Sequence, residues 1–330
     1  MQADRRKALH WLGAGSLAAT ATTLGLGRAL AQSTYPSRPV RLLVPYPPGG
    51  ATDVLARSLA DPLGKLWQRP VVVENRPGVG GIMGADAVAK ATPDGYTLLL
   101  ALPSLVQTPY MVAKPPFDPL RDLATISQLC TSHLVLAANG AMPRTLPQVV
   151  ELAKSRPEKY SYGTYGIGTG AHLYMQVFCK AAGAQLIHVP YKGEAPIAND
   201  LIGGQISMGT LSPMTVRQHA RSGKIVPLAV TGNRRAPMLP DVPTFLELGY
   251  KGLDGPAWMG LFTTAGTPTA IIEKISADVE TVMAAPEIRQ RMADLGLIVK
   301  TSRPAAFAAV AKADQAYWGG VIKEYNIRLD

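Results

Sequence analysis

Cysteine is almost absent: Cys130 and Cys179 are the only two in 330 residues. They could pair in an oxidising compartment. No C-x-x-C and no Cys/His ligand spacing exists, however, so redox motifs and structural zinc sites drop out. Two separately buried thiols are the expectation, because a free cysteine packs as a small hydrophobe. Charged residues (17%) and aromatics (6%) are scarce as well, and the cations stand singly, as at Arg38, Arg57, Lys90, Arg121, Lys154 and Lys224. Nucleic-acid binders concentrate Lys and Arg and interleave aromatics, so no nucleic-acid partner is expected. No G-x-S-x-G elbow and no H-E-x-x-H occurs. The histidines (His10, His133, His172, His188, His219) are dispersed, and His172 and His188 read as satisfied structural residues. An enzyme would need a triad assembled from distant positions, and no catalytic residue, metal or cofactor is assigned.

Hydrophobic residues (47%), Gly (32) and Pro (28) are plentiful and spread along the chain, with no repeat or low-complexity tract. This suits an α/β protein with many tight connections. The first stretch has a basic start (Arg5, Arg6, Lys7), a weakly apolar Ala/Gly/Thr-rich core and a small-x-small site ending at Ala31. It predicts an export signal, residues 1–31, cleaved near Ala31. The adjacent Arg5 and Arg6, and Arg28 before the site, point to the twin-arginine route, with ordinary Sec export as the alternative. Loss of Arg5, Arg6, Lys7, Arg28 and Asp4 would lower the net charge from +10 to +7. No later run reaches the ~20 apolar residues of a membrane span.

Strand and helix signals then alternate. VRLLVPY (Val40 to Tyr46) is a strand ending in Pro-Pro-Gly-Gly, followed by a helix with a Leu55, Leu59, Leu63, Leu66 stripe, Thr52 or Asp53 as N-cap, and Pro62 predicting a bend or break. PVVVEN, IMGADAVAKA and GYTLLLA continue the pattern, and LATISQLCTSHLVLAAN is long enough to cross to a second unit. The alternation restarts at Pro147 and runs through IVPLAVTG. Strands separated by helices imply parallel sheets. The tail predicts helices near Thr269 to Ala284 and Ala305 to Glu324, without strands of their own, packed on the first unit. The resulting organisation is lobe 1 at residues 33–133 plus 233–330, lobe 2 at 134–232, and a cleft between.

Two loops carry the chemistry. In PYPPGGATD (Pro45 to Asp53) a glycine turn leaves the carboxyl end of a strand and enters a helix start, where N–H groups and the dipole favour an anion. Lacking the Lys-Ser/Thr of a phosphate loop, it would suit a carboxylate; the bland alternative is a tight connection. YGTYGIGTGAH (Tyr162 to His172) repeats the design with Thr164, Thr169 and the N–H groups of Gly168, Gly170 and Ala171. Gly166 to Ala171 formally matches the dinucleotide pattern G-x-G-x-x-A, but His188 stands where the acidic ribose partner belongs.

The runs YPSRPVRLLVPYPPGGATDVLAR, VVVENRPGVGGIMGADAVAKATPDGYTLLL, YGTYGIGTGAHL, HVPYKGEAPIANDLIGGQ, LPDVPTFLELG and GLFTTAGTP resemble, in order and spacing, the solute receptors of tripartite tricarboxylate transporters, the Bug-type receptors. The resemblance spans essentially the whole chain after residue 31. It implies an α/β, two-lobed, type II-like periplasmic binding protein with a ligand cleft between its domains, no catalysis and no cofactor. It implies a monomer that captures a small carboxylate and passes it to transporter membrane subunits. Its ligand contacts, carried over, fall on Tyr46, Pro48, Gly49, Gly50, Ala51, Thr52 and Asp53 in the first lobe and Thr164, Gly168, Thr169 and Gly170 in the second. Lys192 of the Tyr191-Lys192-Gly193 match is a candidate rim cation, or a solvated lysine, and Asp200 matches a helix aspartate of structural type. After Gly203-Gly204-Gln205-Ile206 many relatives carry an acid and then an aromatic, where this chain has Ser207-Met208-Gly209-Thr210. That departure predicts a roomier wall, with Ser207 and Thr210 as contacts, and argues against an amino-bearing solute. The rival readings are a periplasmic sensing subunit for a two-component system and an exported α/β enzyme acting on a carboxylate.

Overall fold

A computed structural model of the protein describes residues 35–255 and 257–329. The expected export signal lies outside the described residues. In chain order the elements are β1 (Val40–Val44), α1 (Ala51–Trp67), β2 (Val71–Asn75), α2 (Ile82–Ala89), β3 (Thr97–Ala101), α3 (Ser104–Gln107), β4 (Leu123–Ser132) and β5 (Val135–Asn139). Then follow α4 (Leu146–Ser155), β6 (Ser161–Thr164), α5 (Gly170–Ala182), β7 (Ile187–Pro190), α6 (Glu194–Ile202), β8 (Met208–Leu211), α7 (Pro213–Ala220) and β9 (Ile225–Val230). The last elements are β10 (Ala257–Thr264), α8 (Thr269–Ala284), α9 (Pro286–Asp294), β11 (Leu297–Val299) and α10 (Pro304–Glu324).

The strands form two sheets, one of six in the order β11-β4-β10-β3-β1-β2 and one of five in the order β7-β6-β8-β5-β9. Both are mixed, which corrects the parallel expectation. β1 runs parallel to β2 and β3, and β6 parallel to β7 and β8, as helix crossovers require. β10 and β11 return antiparallel against β3 and β4, and β5 antiparallel to β8 and β9. β1 is covered on both faces, so it reads as an unbroken apolar run with Val40, Leu42, Leu43 and Val44 buried.

Helix α1 buries Leu55, Leu59 and Leu63 as its stripe predicts, but Leu66 is half exposed. Trp67 takes the buried place, its Nε1 donating to Asp278 Oδ2 at 2.6 Å. The helix runs through Pro62 unbroken; the proline costs the hydrogen bond it would have donated to Ser58.

The tail is more than helices. β10, AWMGLFTT, lies in the middle of the first sheet, and Gly260 allows this: a Cβ there would sit 1.9 Å from Phe307 Cζ. Phe307 of α10 fills that space and meets Trp258 edge-on at 5.2 Å. Farther along, Trp318, Val321 and Ile322 of the same helix join Tyr174 and Phe178 of α5 in the core of the second sheet. Thus α10 packs on both sheets, not on the first alone. Asp314, between these ends, accepts from Trp258 Nε1 (2.5 Å) and from Trp318, while burial raises its carboxyl above the ordinary value.

The chain passes between the sheets after β4 and again after β9, and the passages are tied together. Thr231 N donates to Leu134 O and Leu134 N to Thr231 Oγ1, each at 2.9 Å, and His133 Nδ1 lies 2.5 Å from Thr231 O. The two thiols are unpaired: Cys130 is buried in β4 and Cys179 half-buried in α5, and desolvation pushes both up to about 12.

Candidate functional site: two helix-start loops

The first loop leaves the carboxyl end of β1. Gly49, at φ +87°, makes the turn that needs a glycine. Gly50 is the N-cap of α1, with φ −78° and ψ 169° and no side-chain cap, so neither Thr52 nor Asp53 caps the helix. Asp53 acts one turn in. Its Oδ2 accepts from Gly49 N (3.0 Å) and Arg57 Nε (3.0 Å), and its Oδ1 from Asn75 Nδ2 (3.0 Å). Asn75 Nδ2 also donates to Tyr46 O at 3.2 Å. The bond to Arg57, outweighing burial, holds the Asp53 carboxyl below its usual range. With these donors on both of its oxygens, the ionised Asp53 holds the loop in place.

Among the described residues the N–H groups of Gly50, Ala51 and Thr52 have no protein acceptor. Pro48, Gly49 and Gly50 are exposed. A Cβ at Gly49 or Gly50 would meet nothing within 4 Å. Tyr46 closes the back of the loop, its hydroxyl 2.9 Å from Ser104 Oγ and accepting from Leu102 N at 3.2 Å. Burial pushes this phenol up to about 12, so it stays a neutral donor. Beside it lies a cavity of about 10 Å3 lined by Tyr46, Gly80, Ser104 and Thr108, about the room one ordered water needs.

The second loop follows β6. Thr169 is a true N-cap, accepting from His172 N at 3.4 Å and donating to Gly166 O at 2.8 Å. Gly168, at φ +72°, is spoken for: its N–H donates to His172 Nδ1 at 3.2 Å. Accepting on Nδ1 makes His172 neutral with its proton on Nε2; the Gln176 amide nitrogen stands 3.0 Å from Nε2, so this tautomer calls for the amide in its flipped orientation, oxygen towards the ring. His172 stacks on His188 at 4.1 Å, and His188 Nε2 lies 2.7 Å from Thr164 Oγ1. Burial, then the neighbouring His188, lowers His172 to about 4, and burial lowers His188 as well. Of the N–H groups read from sequence, those of Gly170 and Ala171 remain without a protein acceptor among the described residues. Gly170, like Gly50, has open space where a Cβ would stand.

A short helical segment joins the loops. Ser104 touches Tyr46, and Met111 Sδ would lie 2.7 Å from a Cβ at Gly168. Six residues separate Ser104 from Met111, a helical rise of roughly 10–14 Å between the contact with the first loop and the contact with the second.

The remaining candidates divide. Lys192 is exposed. Asp200 accepts from Tyr191 Oη at 2.7 Å, the structural role expected. Ser207 is exchanged with Ser161 at the amino ends of β6 and β8, the opposite end of the sheet from Thr164, and is not brought to the loops. Thr210 donates to Gly163 O at 3.2 Å inside the sheet. β8 is wholly buried, and the space at Gly209 is filled from α6, where Ile197 Cγ2 would stand 2.7 Å from a Cβ. Glu194, missed from sequence, lies at the carboxyl ends of β6, β7 and β8, where α/β proteins place their ligands. Its Oε1 accepts from Ser212 N at 2.5 Å, and desolvation, with the Glu194 charge second, raises the half-buried Tyr165 phenol well above its usual value.

The family model described as "Tripartite tricarboxylate transporter family receptor" matches residues 55–327. The chain is 34% identical over 315 residues (94% of either chain) to a UPF0065 protein from the tcbD-tcbE intergenic region of Pseudomonas sp. strain P51. It is 33% identical over 310 residues (93% of this chain, 95% of the relative) to protein BugT of Bordetella pertussis. Among solved structures, the periplasmic binding protein BugD superposes with a TM-score of 0.77 at 34% identity, covering 89% of this chain and 99% of BugD. A Rhodopseudomonas palustris protein with adipate gives 0.79 at 29% identity (89% and 99% covered), and MatC from the same organism with bound malate 0.74 at 27% (87% and 100% covered). The α/β fold is that of periplasmic binding proteins, and the chain belongs to the tripartite tricarboxylate transporter family of receptors.

Proposed function

We propose that the chain is a periplasmic receptor that captures a small carboxylate between lobe 1 (33–133 with 233–330) and lobe 2 (134–232), and delivers it as a monomer to transporter membrane subunits. It binds without catalysis or cofactor. The observation that carries the reading is the pair of helix starts at Gly50–Thr52 and Gly170–Ala171, with N–H groups left without protein acceptors and open space in front of Gly50 and Gly170. Such a pair favours an anion through hydrogen bonds and dipole together. That relatives are seen with adipate and malate supports a carboxylate.

Neither loop contains Lys or Arg. The anion is then held by oriented N–H groups, by Thr52 and by ordered water, and its recognition is a matter of preorganisation. Closure brings the two loops onto one solute and excludes water. A thermal-shift screen of mono-, di-, tri- and aromatic carboxylates tests this. An acid at a hundred times its Kd stabilises the folded state by about 2.7 kcal/mol, a rise of several degrees. Titration calorimetry should then show the acid binding far more tightly than its methyl ester, and small-angle scattering should show compaction. No shift from any acid, or equal binding of acid and ester, overturns the reading.

A further inference from the structure

Away from the loops, a groove of about 430 Å3 runs between α7 and the α9–β11 turn. One wall carries Pro213, Arg217 and Met238, the other Arg289, Asp294 and the strand β11. The walls belong to different sheets and meet at the floor: a Cβ at Gly296 would stand 3.3 Å from Met238 Sδ and 3.5 Å from Pro213 Cβ. β11 is the outermost strand of its sheet, paired with β4 on one side only, so its other edge lines the groove with backbone groups free to pair. Arg217 and Arg289 are exposed on opposite walls without an ion-pair partner among the described residues. Asp294 instead accepts from the neutral Gln290 amide at 2.9 Å. The floor is apolar and holds no buried charge.

We propose that this groove docks an extended, acidic segment of a membrane partner, an inference that rests on the delivery role proposed above. An extended chain adds to an open strand edge through its backbone and specifies itself through alternate side chains. Here alternate positions meet the apolar floor and the two rim arginines. A small anion would find only the exposed rim charges. The groove also lies next to the solute end of the second sheet, because Pro213 follows Ser212, whose N–H is held by Glu194. Since its walls come from the two sheets, its width follows their relative position, and docking there reads whether the receptor has closed.

The test uses the mature receptor, a solute found by the carboxylate screen, and cells carrying the cognate membrane subunits in place of the chromosomal receptor. The double variant Arg217→Glu, Arg289→Glu should keep its Tm and bind the solute within twofold of wild type. Uptake of the labelled solute should fall at least tenfold. A photo-crosslinking residue at position 238 should map to an acidic extracytoplasmic segment of a membrane subunit. Should the double variant lose its fold, Arg217→Gln with Arg289→Gln makes the same comparison. Uptake at the wild-type rate overturns the groove, as do crosslinks confined to other surfaces. So does a second citrate-binding event in the solute-saturated wild type that the variant lacks, since that marks a small-anion site. Uptake that persists with no receptor present removes the delivery role itself, independently of either arginine.

Discussion

Acidification should destabilise this protein through a histidine that anchors the second loop. His172 accepts the Gly168 N–H on Nδ1, is buried, and stacks at 4.1 Å on His188, so a proton on Nδ1 breaks the loop bond and puts a charge against a second ring. Its pKa is lowered from 6.5 to about 4, by burial first and His188 second. The sign follows. Between these values the unfolded chain binds the proton and the folded one does not, so the stability due to this group is complete above 6.5 and is lost as pH falls towards about 4. From pH 7 to pH 5 the loss is about 2 kcal/mol. His133 and His188 are lowered too and act with the same sign, so the effect must be isolated by substitution. His172→Asn keeps an acceptor near the Nδ1 position and does not titrate. Urea unfolding at pH 7, 6 and 5 should give a stability difference between pH 7 and 5 smaller by about 2 kcal/mol in the variant than in wild type. Equal pH dependence in the two proteins would refute the protonation argument.

Gly50→Val should leave the protein folded, at a helix-capping cost of about 1 kcal/mol, because φ is −78° and a Cβ meets nothing within 4 Å, yet weaken carboxylate binding at least a hundredfold by calorimetry. Gly168→Ala should lower both Tm and affinity, since φ is +72° and the new methyl would press on Met111 and Leu329. Asp53→Ala, which removes the acceptor of Gly49, Arg57 and Asn75, should cost about 1–3 kcal/mol in urea unfolding. Phe307→Ala should cost about 3–5 kcal/mol, because the cavity opens against Gly260 and cannot collapse. Lys192→Ala should change affinity by no more than about 1 kcal/mol, as suits an exposed rim charge.

What the sequence made legible was local. β1, the Pro-Pro-Gly-Gly turn and α1 are contiguous, so strand, loop and helix start could be read from one segment, and the second loop likewise. What it hid depends on partners far along the chain. β10 is buried on both faces and carries Gly260 in its middle, so it has no alternation to announce it; its glycine makes sense only once Phe307, 47 positions on, is seen against it. Ser207 and Thr210 were both read as contacts from their position after Gly-Gly-Gln, but strand register parts them, leaving Ser207 at the amino end of β8 and Thr210 level with Thr164 at the other. His172 and His188 stand on α5 and β7, and nothing in their spacing tells that the two rings stack.

These distant contacts bear on how the proposed anion site would work. A carboxylate held by backbone N–H groups needs those groups fixed in direction before the solute arrives, because each bond contributes little by itself. In the first loop the fixing is done by a charged acceptor, Asp53, whose own charge is answered by Arg57, so the ion pair orients Gly49 without adding net charge near the solute. In the second loop it is done by a neutral imidazole that must stay neutral, and burial beside a second imidazole keeps it so. One half of the site is thus anchored by an interaction that persists into mild acid and the other by one that acid removes. The second half, and with it closure on the solute, should fail first as pH falls.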